Sequence, residues 1–104
     1  MKLVKNFING SISSSSKTFL DIEDPSKGEK IGEVVMSSRE DFINVIDSSK
    51  KAFFNWSEIT PLKRSRIISK YKEILEKNID ELAKIISEEH GKTIDDSKGS
   101  VIRG

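Results

Sequence analysis

Cysteine is absent from these 104 residues, and histidine and tryptophan occur once each. Without thiols there is no disulfide framework, no thiolate metal site and no thiol nucleophile. A single imidazole cannot build a metal cluster. Charge of one sign is lacking too: 18 Lys and Arg face 17 Asp and Glu, for a formal net charge of +1. That supplies no general attraction to nucleic acid or to acidic membranes. No run approaches the roughly 20 apolar residues of a membrane span. Met1 to Gly10 carries lysines but no apolar core for a signal peptide. The expectation is a soluble, cytoplasmic chain with no nucleic-acid or membrane partner. Apolar residues are also scarce, at 35%, where about 45–50% counting glycine is usual. Charged residues reach 34%, above the usual quarter or so. At this length the chain is one domain at most. Its balance points to burial completed on a partner surface.

What is present divides at residue 36. Residues 1–36 read as a β region. Lys5 to Ile8 is a short strand, Asn9-Gly10 a hairpin turn, and the return strand is weak because Ser13 to Ser16 is a polar loop. Phe19 to Glu23 and Ile31 to Met36 are strand-like, joined by turn chemistry at Asp24-Pro25-Ser26-Lys27-Gly28. From 37 to 104 the period becomes helical. Ser37 with Glu40 has a capping-box spacing, and Phe42, Val45, Ile46, Ser49 and Phe53 share one face. That helix is predicted to end near Asn55, with Trp56 as a core plug at its exit. Thr60-Pro61 opens a second helix with Ile67, Ile68, Tyr71, Ile74 and Leu75 on its apolar face. Asn78 with Glu81 is predicted to cap a third, bearing Ile79, Leu82, Ala83 and Ile86. Gly91 suits the left-handed position past its end. Thr93 with Asp96 opens a fourth helix that the sequence leaves truncated, with Ile94, Ser97 and Val101 on one side.

Candidate chemistry within these elements is sparse. His90 falls at a helix C-terminus, where a cationic imidazole is favoured by the helix dipole. Gly91-Lys92-Thr93 echoes the end of a phosphate-binding loop, but the earlier glycine such a loop requires is replaced by Ile86, and the preceding segment reads as helix. Residues 61–77 carry six cations against two acids, and residues 78–96 six acids against two cations. Neighbouring helices of opposite charge form a mutually complementary, solvated surface more readily than a nucleic-acid site. Arg103 is the remaining candidate. Its planar guanidinium can grip a carboxylate with two hydrogen bonds, but residue pattern alone leaves it open whether Arg103 does so or merely ends a chain.

Five fragments, in order, resemble the amino-terminal portion of the aldehyde dehydrogenase superfamily: Asn6-Phe7-Ile8-Asn9-Gly10; Asp24-Pro25-Ser26-Lys27-Gly28-Glu29 with Ile31-Gly32; Ala52-Phe53-Phe54-Asn55-Trp56-Ser57; Arg66 to Leu75; and Glu89-His90-Gly91-Lys92-Thr93. The segment Gly99-Ser100-Val101-Ile102-Arg103-Gly104 is similar to a Gly-(Asp/Glu)-Val-x-Arg-Gly sequence of the CoA-acylating methylmalonate-semialdehyde dehydrogenase branch, departing from it at Ser100. The resemblance implies an α/β parent fold with a Rossmann-type cofactor domain. Residues 1–104 would be the amino-terminal part of its NAD-binding domain, with the catalytic domain absent. It implies NAD and CoA as cofactors, bound by residues outside this chain, a small semialdehyde as substrate, and a homo-oligomeric parent. Arg103 is implied to hold the substrate's carboxylate. No catalytic, cofactor-binding or metal-binding residue is expected here. Thiolate attack needs a cysteine, so the chain is expected to be inactive alone. Two alternatives stay open: another aldehyde dehydrogenase of the superfamily, or a complete small helical interaction or nucleic-acid-binding protein.

Overall fold

The computed structural model describes residues 1–104. Five strands precede four helices: β1 Lys2–Val4, β2 Asn6–Ile8, β3 Ser11–Ser13, β4 Phe19–Asp24, β5 Glu29–Val35, α1 Arg39–Glu58, α2 Pro61–Lys77, α3 Ile79–His90 and α4 Ile94–Arg103. Two compact units are interleaved along the chain. The first comprises Met1–Ile22 and Ile31–Thr60, the second Glu23–Lys30 and Pro61–Gly104.

In the first unit, β2 and β3 form a hairpin with Ile8 opposite Ser11. Its two turn residues, Asn9 and Gly10, have φ of 50° and 76°. Positive φ at both positions matches the right-handed twist of the flanking strands, and Asn-Gly adopts it at little cost. β3 takes in Ser13, so the polar loop starts one residue later than predicted. A second sheet has the order β1-β5-β4. β1 is an addition to the predicted elements. Three residues are too few to show alternation, and this strand exists through its parallel partner β5, which pairs Lys2 with Gly32. Gly32 permits that approach. A Cβ there would lie 2.5 Å from Lys2 Cγ and 2.7 Å from the Lys2 carbonyl oxygen. Gly32→Ala is therefore expected to destabilise the unit by about 1–3 kcal/mol. Loss of amide-exchange protection along Lys2–Val4 checks this.

The α1 cap is shifted one residue from the predicted one. The sequence holds two overlapping Ser-x-x-acid frames, and the second wins: Ser38 is the N-cap and Asp41 closes the capping box. Ser37 is diverted, its Oγ lying 3.0 Å from Asn6 Nδ2 and 3.1 Å from Asn6 Oδ1. Asp41 also gathers the serine loop. Its carboxylate accepts from Ser15 N at 2.7 Å, Ser38 N at 2.9 Å, Ser14 Oγ at 3.0 Å and Ser15 Oγ at 3.1 Å. These donors hold its pKa well below the usual carboxylate range, the backbone amide of Ser15 contributing most and that of Ser38 next. The side chain is 2% exposed. α1 then runs past the predicted stop at Asn55 to Glu58. Trp56 thus lies inside the last turn, 36% exposed, and is not a core plug in this chain.

In the second unit, Pro61 opens α2 as predicted. Asn78 occupies the N-cap position of α3 as predicted, but its side chain makes no capping hydrogen bond. Its Nδ2 instead donates to the Ile74 carbonyl at 2.8 Å, so its amide serves to end α2. The α3 face Ile79, Leu82, Ala83 and Ile86 is the half-buried to buried one. It belongs to the packing of α3 on α4, where Ala83 and Ser97 are both 0% exposed. Small residues at this crossing let the helices approach. Lys98 of α4 bonds Asp80 of α3 at 2.9 Å. Thr93 caps α4, accepting from Asp96 N at 3.2 Å. Gly91 ends α3 at φ 85°, and a Cβ there would lie 3.0 Å from Pro25 Cγ. Gly91→Ala combines left-handed strain with that contact, and a loss of about 1–2 kcal/mol is expected in urea unfolding.

The buried apolar residues number only two, Val35 and Ala83. α2 buries none of its side chains. Phe42, Val45, Ile46 and Phe53 of α1 and Ile67, Ile68, Tyr71 and Ile74 of α2 are all exposed, although they sit on the faces the helical period marks as apolar.

Candidate substrate-binding site

Within the second unit, α2 and α4 border a groove of about 710 Å³. Its apolar wall is Ile68, Tyr71 and Leu75 from α2, Ile79 from the start of α3, and Val101 and Ile102 from α4. Its charged groups are Lys72, Glu76 and Arg103. Lys72 and Glu76 stand one helical turn apart and pair at 3.5 Å, so their charges compensate. Arg103 is left as the group that gives the groove its sign.

Arg103 is the last residue of α4, where a cation meets the negative end of the helix dipole. Its Nη2 donates to Ser100 Oγ at 3.3 Å. Gly99, one turn back, clears the way: a Cβ there would lie 3.3 Å from Arg103 Nη1. The side chain is exposed, and most of its five N–H groups remain for a ligand. A carboxylate with a short apolar body matches this arrangement of one guanidinium beside an apolar wall.

The other sequence candidates do not join this groove. His90 is exposed at the end of α3, the position the dipole favours. Lys92-Thr93 follows that helix and not a strand, which removes the phosphate-loop reading. No group of three or more His, Cys, Asp or Glu side chains is gathered for a metal. No helix is long and apolar enough to cross a membrane. Sequence reasoning missed the meeting of Lys92 with Ser100, at 2.9 Å. Eight residues that cross a helix cap show no periodic signal.

A family model described as the aldehyde dehydrogenase family matches residues 11–104. The chain belongs to the aldehyde dehydrogenase family. Over 101 residues, 96% of its length, it is 41% identical to a Dictyostelium discoideum protein described as an acylating, mitochondrial methylmalonate-semialdehyde/malonate-semialdehyde dehydrogenase, 19% of which is covered. It is 42% identical over its whole length to a malonate-semialdehyde dehydrogenase of Bacillus cereus, covering 22% of it. Among solved structures, a protein from Sinorhizobium meliloti described as a methylmalonate-semialdehyde dehydrogenase, in complex with NAD, superposes with a TM-score of 0.96. It shares 36% identity over 99% of this chain and 21% of its own. The methylmalonate-semialdehyde dehydrogenase of Oceanimonas doudoroffii gives 0.94 at 31% identity, again over 99% and 21%. The chain thus spans about a fifth of the length of these relatives. Its strands and helices are those of a segment of the family's α/β fold.

The strand-to-helix junction is Met36-Ser37-Ser38, between β5 and α1. It contains no glycine, and the α1 N-terminus is already closed by Asp41. A pyrophosphate needs open amides and close backbone approach at such a turn. Cysteine is absent throughout.

Proposed function

We propose that this chain is the amino-terminal part of the NAD-binding domain of a CoA-acylating malonate- or methylmalonate-semialdehyde dehydrogenase. The parent is a cytoplasmic homo-oligomer. The observation that carries this reading is whole-length similarity, at 34–42% identity, to relatives described as acting on malonate or methylmalonate semialdehyde. Oxidation with NAD and acyl transfer to CoA then reside on residues outside this chain.

The chain's own contribution is binding and orientation. Arg103 holds the substrate carboxylate through two parallel charge-assisted hydrogen bonds, which fixes a direction as well as a position. Anchoring one end of so short a molecule places its aldehyde carbon at a set distance from the guanidinium. Val101 and Ile102 supply an apolar wall beside that anchor, and covering it in the parent excludes water there and strengthens the anchor. The exposed apolar faces of α1 and α2 are seats for the remainder of the parent.

A chimera tests the reading. The matching segment of the Bacillus cereus malonate-semialdehyde dehydrogenase is replaced by residues 1–104. The chimera is expected to form NADH with malonate semialdehyde, and the isolated chain to form none. In the chimera, Arg103→Gln is expected to raise KM for malonate semialdehyde about 100-fold. Uncarboxylated propanal is expected to change by no more than about threefold. Equal losses on both aldehydes would remove Arg103 from substrate recognition. NADH formation by the isolated chain would sink the claim of inactivity.

A further inference from the structure

A second cation reaches the oxygen that Arg103 touches. Lys92, just ahead of α4, donates from Nζ to Ser100 Oγ at 2.9 Å, and Arg103 Nη2 donates to the same atom at 3.3 Å. The Ser100 proton goes to the Asp96 carbonyl at 3.3 Å. The hydroxyl is therefore saturated, with both acceptor positions given to positive groups. It is also neutral, so it gathers two unit charges and cancels neither. The C-terminal carbonyls of α4 return only roughly half a unit of negative charge. The groove's own acid, Glu76, is paired with Lys72, and Asp80 is paired with Lys98. One of the three ammonium donors and one of the five guanidinium donors are used at Ser100, and the rest suit oxygen ligands. Two nitrogens bonded to one oxygen are close enough for a single oxyanion to reach both.

We propose that Lys92 and Arg103 form a two-cation cradle for an oxyanion, seated beside Ser100 Oγ, with Lys92 as its second ligand. This rests on the reading of Arg103 as the carboxylate holder and extends it to a residue outside the groove wall. A cradle of two charges favours a ligand of two charges. Inorganic phosphate and malonate bind more tightly than acetate.

The test is an amide-resolved NMR titration of the 104-residue chain, below the concentration at which it self-associates. The probes are inorganic phosphate, malonate and acetate, with chloride at matched ionic strength. Saturable shifts are expected at Lys92, Thr93 and Ser100 to Gly104 with phosphate and malonate, and not with chloride. Lys92→Gln and Arg103→Gln each weaken binding about tenfold or more, and Lys92→Arg restores it. Ser100→Asp fills the cradle from within. It retains the dispersed spectrum and abolishes phosphate binding. Shifts that never saturate, or that chloride reproduces, overturn the cradle. Binding that survives Lys92→Gln but not Arg103→Gln removes Lys92 and leaves the reading of Arg103 standing. Binding that survives Arg103→Gln sinks both. Phosphate bound equally well by Ser100→Asp places the anion elsewhere and overturns the cradle.

Discussion

Replacing Asp41 by alanine is expected to lower the thermal midpoint of the first unit by roughly 10 °C or more. One carboxylate, 2% exposed, closes the α1 capping box and collects the serine loop through the amide of Ser15. Its removal takes the acceptor from two backbone donors, Ser15 N–H and Ser38 N–H, whose bonds to the carboxylate are part-buried. The hydroxyls of Ser14 and Ser15 can rotate to other partners, so the amides dominate the loss. The same group gives the unit an acid limb. Its pKa in the fold lies below that of the unfolded chain, where an aspartate titrates near 3.9. The unfolded state therefore binds the proton first. The Asp41 contribution is complete above about pH 4 and declines as pH falls through the folded value. Asp41→Asn should flatten that limb as well as lower the midpoint. Thermal melts between pH 2 and 7, followed by circular dichroism, check both. A variant that melts with the wild type would show that the serine loop is not held by this residue.

The second large effect is expected in one setting and nearly absent in the other. Phe54 and Ile67 are 73% and 50% exposed. Changing both to glutamine, a good helix former, is expected to shift the isolated chain's stability by no more than about 0.5 kcal/mol per site. It should also reduce self-association, since α1 and α2 each expose large apolar side chains to water. In the chimera the same pair should lower activity at least about tenfold. Burying such side chains contributes about 1.5–3 kcal/mol each, and that contribution arises only where the parent covers them. Sedimentation of the isolated chain and NADH formation by the chimera are the two readouts. A marked loss of stability in the isolated chain would mean these side chains are packed already, and would remove them as seats for the remainder of the parent.

The helices were legible because their signals are local. Caps at Pro61, Gly91 and Thr93 and the period of Ile79, Leu82, Ala83 and Ile86 act over one or two turns. The misplacements have physical causes of longer reach. β1 depends on a partner 30 positions away. The choice between Ser37 and Ser38 was settled by Asn6, which drew the first serine off. Asn78 looked like a cap for α3, yet its amide found the Ile74 carbonyl behind it. Trp56 and the faces of α1 and α2 carry the pattern of a core without being one in this chain. The period reports which face is apolar and says nothing of whether the same polypeptide covers it. At the site, the guanidinium of Arg103 could be singled out only through resemblance. The convergence on Ser100 left no trace in the sequence, because the residue ahead of a cap and the residue two turns inside it have no fixed spacing rule.

The interleaving of the two units bears on how the gene can be cut. The chain passes between them three times, after Ile22, Lys30 and Thr60. A plasmid beginning at Pro61 would encode α2, α3 and α4 but omit Pro25, whose ring sits against Gly91, with Cγ 3.0 Å from where a Cβ there would lie. Neither unit is a contiguous cassette. Dissection by simple truncation would strip one of a turn it uses, and shuffling segments at a single crossover would carry that turn into the wrong parent.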